Sequence, residues 1–217
     1  MIPKVIVDST VEPITIEECR SHLNLYAYGF GGTHPDDSMI MMMLRAAREQ
    51  CEEYLGRSIT VKTYEIALDR FPGVTDSTLL SRPILPYYDV NSSSLDRYAI
   101  ELPMPPLVEV VSITTGGDTD GLLSSAEYVV DDYSMVPKVV PVTAWPTITP
   151  SKNNIIIRYR AGYESLPYTI RAAMLFLLGT FYANREHIVI PTRGVAHELP
   201  DVLESLLRPL RVRTGMA

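Results

Sequence analysis

Apolar residues recur along this chain with two different periods, and the changes of period cut it into three stretches. In the first, Ile14-Thr15-Ile16-Glu17-Glu18 has the form of a capping box: Thr15 takes the N–H of Glu18, and Glu18 reaches back. Ile14, just before the cap, can staple onto Cys19, and Pro13 keeps the chain extended ahead of it. This predicts a helix to about Leu23. A second helix starts at Asp36 or Asp37, acids suited to a helix N-terminus. Its Ile40, Met43, Leu44, Ala47, Cys51, Tyr54 and Leu55 fall on one face at helical spacing, and Gly56 is placed to stop it.

From Ile59 to about Tyr163 the period drops to two. Ile59-Thr60-Val61-Lys62 alternates, and Tyr64, Ile66 and Leu68 continue the pattern, which predicts a half-buried strand. Further strands are predicted over residues 98–102, 107–115, 127–131, 135–140 and 155–160, with turns at Gly116-Gly117 and Asp120-Gly121. Prolines (Pro83, Pro86, Pro103, Pro105, Pro106, Pro137, Pro141, Pro146, Pro150) should confine several strands to edges. The polar stretch 74–97 reads as an insertion.

The helical period then returns. Ser165 is placed to cap, Pro167 suits a first turn, and Ile170, Ala173, Met174, Leu177, Leu178 and Phe181 form one face. Ala172, Ala173 and Gly179 allow close helix contact. After Asn184-Arg185-Glu186 comes a loop, 188–199, with Pro191 and Gly194. A last helix opens at Pro200, carries Val202, Leu203, Leu206 and Leu207, and ends at Pro209. Each terminal helical block has a single apolar stripe, most simply buried against the other. The expected fold is α+β. Residues 1–57 and 164–217 form a small helical bundle, and 58–163 form an inserted antiparallel β-sandwich or barrel-like domain.

Composition changes this picture little. The 217 residues are 46% hydrophobic and 21% charged, and a chain this long buries roughly 70% of its unfolded surface, so its core needs no metal or disulfide. The net charge of −7 argues against gripping DNA through phosphate contacts, while suiting a wall that DNA slides past. The two cysteines, Cys19 and Cys51, fall within helical patterns and are expected to be reduced. No segment has the length of a membrane span, and the start of the chain does not read as a signal peptide.

Candidate chemistry is sparse. Gly29, Gly31 and Gly32 lack phosphate-loop spacing. Cys19 and His22 could share a helix face, but Cys51, His34, His187 and His197 are not paired as zinc ligands are. Asp118-Thr119-Asp120-Gly121 begins like a calcium loop but lacks the later acid, and so reads as a hairpin turn. No serine sits in a nucleophile elbow. Glu17-Glu18 and Glu52-Glu53 read as solvated helix faces. No catalytic, cofactor-binding or metal site is therefore expected. Tyr87, Tyr88, Tyr133 and Tyr163 suit either an interface or core packing.

Four stretches together resemble a known family. They are Glu12 to Glu18 with His22-Leu23; Asp36-Asp37 and Ile40 with Ala46-Ala47-Arg48 and Cys51 to Arg57; Ile157 to Tyr163 with Pro167, Ile170, Arg171 and Ala173; and Phe181 to Glu186 with Leu199-Pro200 and Leu206 to Arg211. Phe71-Pro72-Gly73 and Trp145-Pro146 fit as well. In order and spacing these resemble the gp6-like head–tail connector (adaptor) family of tailed phages, in the longer form with an inserted β domain. The resemblance implies a structural virion protein at the head–tail interface, assembled in the host cytoplasm. It would form a homo-oligomeric ring of about twelve copies closed by heterologous contacts. Its implied partners are the portal protein above, a stopper or tail-completion protein below, and genomic DNA passing through without sequence-specific binding; no membrane is involved.

In such proteins the C-terminal segment clasps the portal. Here that marks Leu207, Arg208, Leu210, Arg211, Val212 and Arg213 as portal-docking candidates. Arginine is enriched at interfaces, and it also suits a solvated helix C-terminus. Two other classes stay open at this point: an enzyme acting on carbohydrate or peptide, with the β region as its binding face, and a binding module of the tail or baseplate.

Overall fold

The computed structural model describes residues 3–25, 32–72, 98–116, 121–185 and 201–212. Outside them lie the polar stretch 74–97 with Tyr87 and Tyr88, Gly29 and Gly31, Gly73, Asp118 to Asp120, and the loop 188–199. Glu186, His187, His197, Pro200 and Arg213 lie outside them too. The chain divides into two compact units: Met1–Asp8 with Val61–Gly162, and Ser9–Thr60 with Tyr163–Ala217. The architecture is α+β, with antiparallel sheets built from the middle of the chain and helices from its two ends.

The first unit holds two sheets. One has the order β1 (Lys4–Val7), β2 (Lys62–Leu68), β7 (Ile155–Ala161), β4 (Leu107–Thr115); the other has the order β3 (Ile100–Glu101), β6 (Lys138–Pro141), β5 (Tyr128–Asp131). Every pairing is antiparallel. Register follows from alternation: Tyr64 opposes Tyr159 and Ile66 opposes Ile157, so the apolar residues of β2 and β7 share one face. These four pack with Ile113, Leu102, Val139, Phe71 and Trp145 into one core. The opposite face of the large sheet is charged: Arg158 bonds Glu65 at 2.8 Å and Arg160 bonds Glu109 at 2.6 Å.

Two expectations are corrected here. Alternation gave no strand before Ile59, yet Lys4–Val7 pairs with β2. Conversely, β2 begins at Lys62, and Ile59 packs among the helices. The proline rule holds loosely: β6 is a central strand, and its Pro141 falls at the last position, where a missing N–H costs least.

The second unit is helical. Helix α1 (Ile16–His22) carries the predicted capping box with both of its reciprocal bonds, and Ile14 and Cys19 are buried in the same cluster. Helix α2 (Asp37–Leu55) buries Ile40, Leu44, Ala47, Cys51 and Leu55, and Gly56 ends it at φ +63°, a left-handed conformation that glycine adopts without strain. Helix α3 (Tyr168–Ala183) buries Ile170, Ala173, Met174, Leu177 and Leu178. Its N-cap is Pro167, not Ser165, and Pro167 makes no side-chain capping bond. A Cβ on Gly179 would lie 3.5 Å from His22 Nε2, so α1 and α3 approach closely there. Helix α4 (Asp201–Leu207) adds Leu203 and Leu207 and runs into a 3₁₀ turn at Arg208–Leu210. The stripes of both chain ends thus meet in one core, as their single-sidedness required.

Burial extends to charged groups, one of which, Glu52, the helical pattern places on a solvated face. Arg48 is 3% and Glu52 6% exposed. Arg48 Nε donates to Glu12 at 3.0 Å, and Glu52 accepts the N–H of Ile59 at 2.8 Å. Glu52 is therefore no part of a solvated face; it anchors the turn that leaves α2.

Candidate functional site

The docking candidates sit at the end of the helical unit, where α2 provides their seat. The last carbonyls of α2 have no partners from a following turn of helix; Gly56 N–H donates to Glu52 O at 2.9 Å, and Val212 N–H donates to Leu55 O at 2.8 Å. The Val212 Cβ lies 3.6 Å from where a Cβ on Gly56 would stand. Arg57 Nε donates to Leu210 O at 2.6 Å. The Arg211 guanidinium lies 4.9 Å from the centre of the Tyr54 ring, a cation–π distance.

These contacts sort the six candidates. Leu207 and Val212 are buried in their own unit, and Leu210 is half-buried against its core. Arg208 and Arg211 are exposed, and Arg213 lies outside the described residues. The structure therefore leaves two guanidinium groups exposed on a segment tied back to Leu55 by one backbone bond and to Arg57 by one side-chain bond. The sequence showed the arginines; nothing in it showed the tether.

At the other end of α2 a second charged cluster forms. Both Asp36 and Asp37 were expected to act on the helix start. Asp36 is the N-cap residue, but its carboxylate makes no capping bond. It instead accepts Tyr182 Oη at 2.7 Å and Arg185 Nη1 at 3.1 Å from the end of α3. Asp37 accepts Arg20 Nε at 2.8 Å and a second bond from the same guanidinium, and also takes His34 N–H at 2.8 Å. The Tyr182 hydroxyl bond holds the Asp36 carboxyl below its ordinary range, and the Arg20 fork does the same for Asp37. Stability from a depressed carboxyl is present above its ordinary pKa of 3.8 and is lost as pH falls through the lower folded value. Thermal melts between pH 6 and 2 should thus show an acid-side loss that Asp37→Asn makes shallower, with little difference between the two proteins below that window.

Beside this cluster an open groove of about 1030 Å³ is lined by Val11, Ile14, Ile16, Glu17, Arg20 and Met41, among others. Burial pushes the Cys19 thiol up to about 11 and the Cys51 thiol up to about 12, so both stay protonated at neutral pH. His22 lies edge-on to Phe176, with ring centres 6.3 Å apart. Among the described residues no group of three or more His, Cys, Asp or Glu side chains is placed to hold a metal. Among the same residues, no helix is long and apolar enough to cross a membrane. Of the tyrosines singled out, Tyr133 is 99% exposed, while Tyr163 packs half-buried against the helical core.

No family model matches the chain, and no curated protein does. Solved structures do. The chain is similar to one in the neck of an empty gene transfer agent particle with C6 symmetry, at 17% identity and a TM-score of 0.70. It is similar to one in the virion of the native gene transfer agent particle, at 16% and 0.67, and to one in the native particle's neck with C12 symmetry, at 15% and 0.66. Each comparison covers 100% of this chain and 98% of the other. Two units, helical and β, are thus shared from end to end, and at these identities the likeness shows the fold.

Proposed function

We propose that the chain is a structural subunit of the neck of a phage-like particle. In this reading it is an adaptor that forms a ring beneath the portal, extends the DNA channel and offers a platform to a stopper or tail protein. The observation that carries this reading is the end-to-end likeness to gene transfer agent neck chains, which includes both units and leaves almost nothing of either chain over. The C6 and C12 symmetries of those necks support a ring. The residues support an assembly role in another way. Several charged side chains of the helical unit, among them Arg20, Asp36, Asp37, Arg48 and Arg57, are engaged in tethers and ion pairs, and Arg208 and Arg211 stand exposed on an anchored segment. An anchored arginine loses less side-chain freedom on docking than one on a loose tail.

The test is co-sedimentation with portal-bearing particles, followed by electron microscopy of the recovered complex. The wild-type chain should co-sediment and appear as a ring on the portal. Arg208→Glu combined with Arg211→Glu should lower portal binding by about thirtyfold or more, as expected when charges at a contact are reversed, while costing the chain no more stability than the exposed Arg211–Tyr54 contact supplies, about 0.5–1 kcal/mol. A chain that stays monomeric and also fails to co-sediment would falsify the reading.

A further inference from the structure

The large sheet has two edges, and both are unusual. An edge strand ordinarily carries charge or twists away so that nothing pairs with it. Strand β1 has Lys4 and a register shift between Val5 and Val7, which are such devices. Its other three residues are consecutive apolar side chains, however, with Val5 44%, Ile6 41% and Val7 58% exposed. Among the described residues no strand lies on its outer side. At the other edge, the far end of β4 is occupied: Leu123 N–H donates to Ile113 O at 2.9 Å, and Thr114 bridges Leu122. The near half, 107–112, has no partner strand on that side among the described residues, and Val111 on it is 52% exposed.

The two edges fit each other. β1, β2, β7 and β4 are related by three successive antiparallel pairings, so β1 and β4 run in opposite directions. A second copy placed beside the first in the same orientation would therefore present β4 antiparallel to β1. On the core-facing side, one row of side chains crosses the sheet as Val5, Tyr64, Tyr159, Val110, and so ends in valine at both edges. On the other face, Lys4 is exposed at one edge and Glu109, already bonded to Arg160, at the other; with Val5 opposite Val110 the two opposite charges are diagonal neighbours across the contact. Aligned β-branched pairs and opposite charges are what stabilise cross-strand contact.

We propose that the open edge of β1 in one copy pairs with the near half of β4 in a second copy, with Val5 opposite Val110, so that the sheets of neighbouring subunits join. The contact uses different surfaces on the two copies, so it propagates in one direction and can close into a ring. This inference rests on the ring reading above and names its contact.

The test uses the full-length chain carrying Lys4→Cys and Val111→Cys, the positions that flank the Val5–Val110 pair. The native thiols are buried and protonated, so they do not compete during oxidation. The oxidised double variant should give a ladder of covalent multimers beyond the dimer on a non-reducing gel, whereas each single variant should stop at dimer. Independently, Ile6→Asp should raise the concentration for half-assembly by about tenfold or more, because it puts an uncompensated charge into the contact; native mass spectrometry reads this, and a matched melt shows that the fold is kept. Wild-type multimers with no ladder, and with Ile6→Asp assembling normally, overturn the edge pairing and leave the ring reading standing. A wild-type chain that is monomeric at every concentration overturns the pairing; the ring reading is then judged by its own co-sedimentation test.

Discussion

Replacing Arg48 by methionine should destabilise the helical unit by about 3–5 kcal/mol, the range for removing one partner of a buried ion pair. Methionine keeps most of the volume of the arginine stem, so little of this loss comes from a cavity. The loss comes from charge. Arg48 stands between two carboxylates, Glu12 at 3.0 Å and Glu52 at 3.6 Å, whose side chains are only 7% and 8% exposed. It also donates to Thr60 Oγ1 at 3.4 Å. Without it, two buried carboxylates lose the counter-charge they share, and among the described residues Glu12 keeps only the exposed Arg45 at 3.4 Å. Desolvation with no counter-charge outweighs anything the new side chain can gain by packing. The comparison that isolates this cause is the triple variant Arg48→Met, Glu12→Gln, Glu52→Gln. It removes all three charges and keeps an acceptor for Ile59 N–H, so it should recover most of the loss in urea unfolding. If the single variant lies within about 1 kcal/mol of wild type, the network does not hold the turn after α2.

Why this network escaped the sequence reading is instructive. The apolar stripe of α2 was legible because its residues repeat at helical spacing. Arg48 and Glu52 sit one position beyond Ala47 and Cys51 on the same face, one turn apart from each other. Read singly, each looks like a surface residue; only their i, i+4 alignment inside the stripe signals that they compensate each other. The capping box was legible because its four residues are local. The existence of β2, β4 and β7 as strands was legible too, but which of them pair, and in what register, was not: β4 breaks its alternation twice against β7. Strand β1 was not legible, because four residues exposed on both faces show no alternation. The start of β2 was misplaced because Ile59 and Val61 alternate by composition, while Ser58 and Thr60 are buried polar groups in a turn, joined by a 2.8 Å bond from Ser58 Oγ to Thr60 O. In the segment that carries the docking candidates, the arginines were visible as letters. The tether to Leu55 and Arg57 was not, because it joins residues far apart in the chain whose types carry no pairing signal.

Trp145→Ala should cost the β unit about 3–5 kcal/mol, the range for truncating a large buried aromatic. The ring of Trp145 is 5% exposed and that of Phe71 is 1% exposed; they stack at 4.7 Å with their planes 8° apart. Trp145 Nε1 also donates to Tyr98 O at 2.6 Å. Phe71 and Tyr98 stand just before and just after the stretch 73–97, so one side chain contacts the chain on both sides of it. Trp145→Phe separates the two contacts: it keeps a stacking ring while removing the donor and trimming part of the indole, and should cost about 1–2 kcal/mol. Urea unfolding followed by circular dichroism orders the three proteins. An alanine variant no less stable than the phenylalanine variant would mean that the stack contributes nothing. The two predictions also bear on assembly differently. Arg48 and Trp145 belong to different units and share no contact partner, so their effects on stability should add to within about 0.5 kcal/mol. Only Trp145→Ala, which loosens the unit that carries both sheet edges, should also weaken multimer formation.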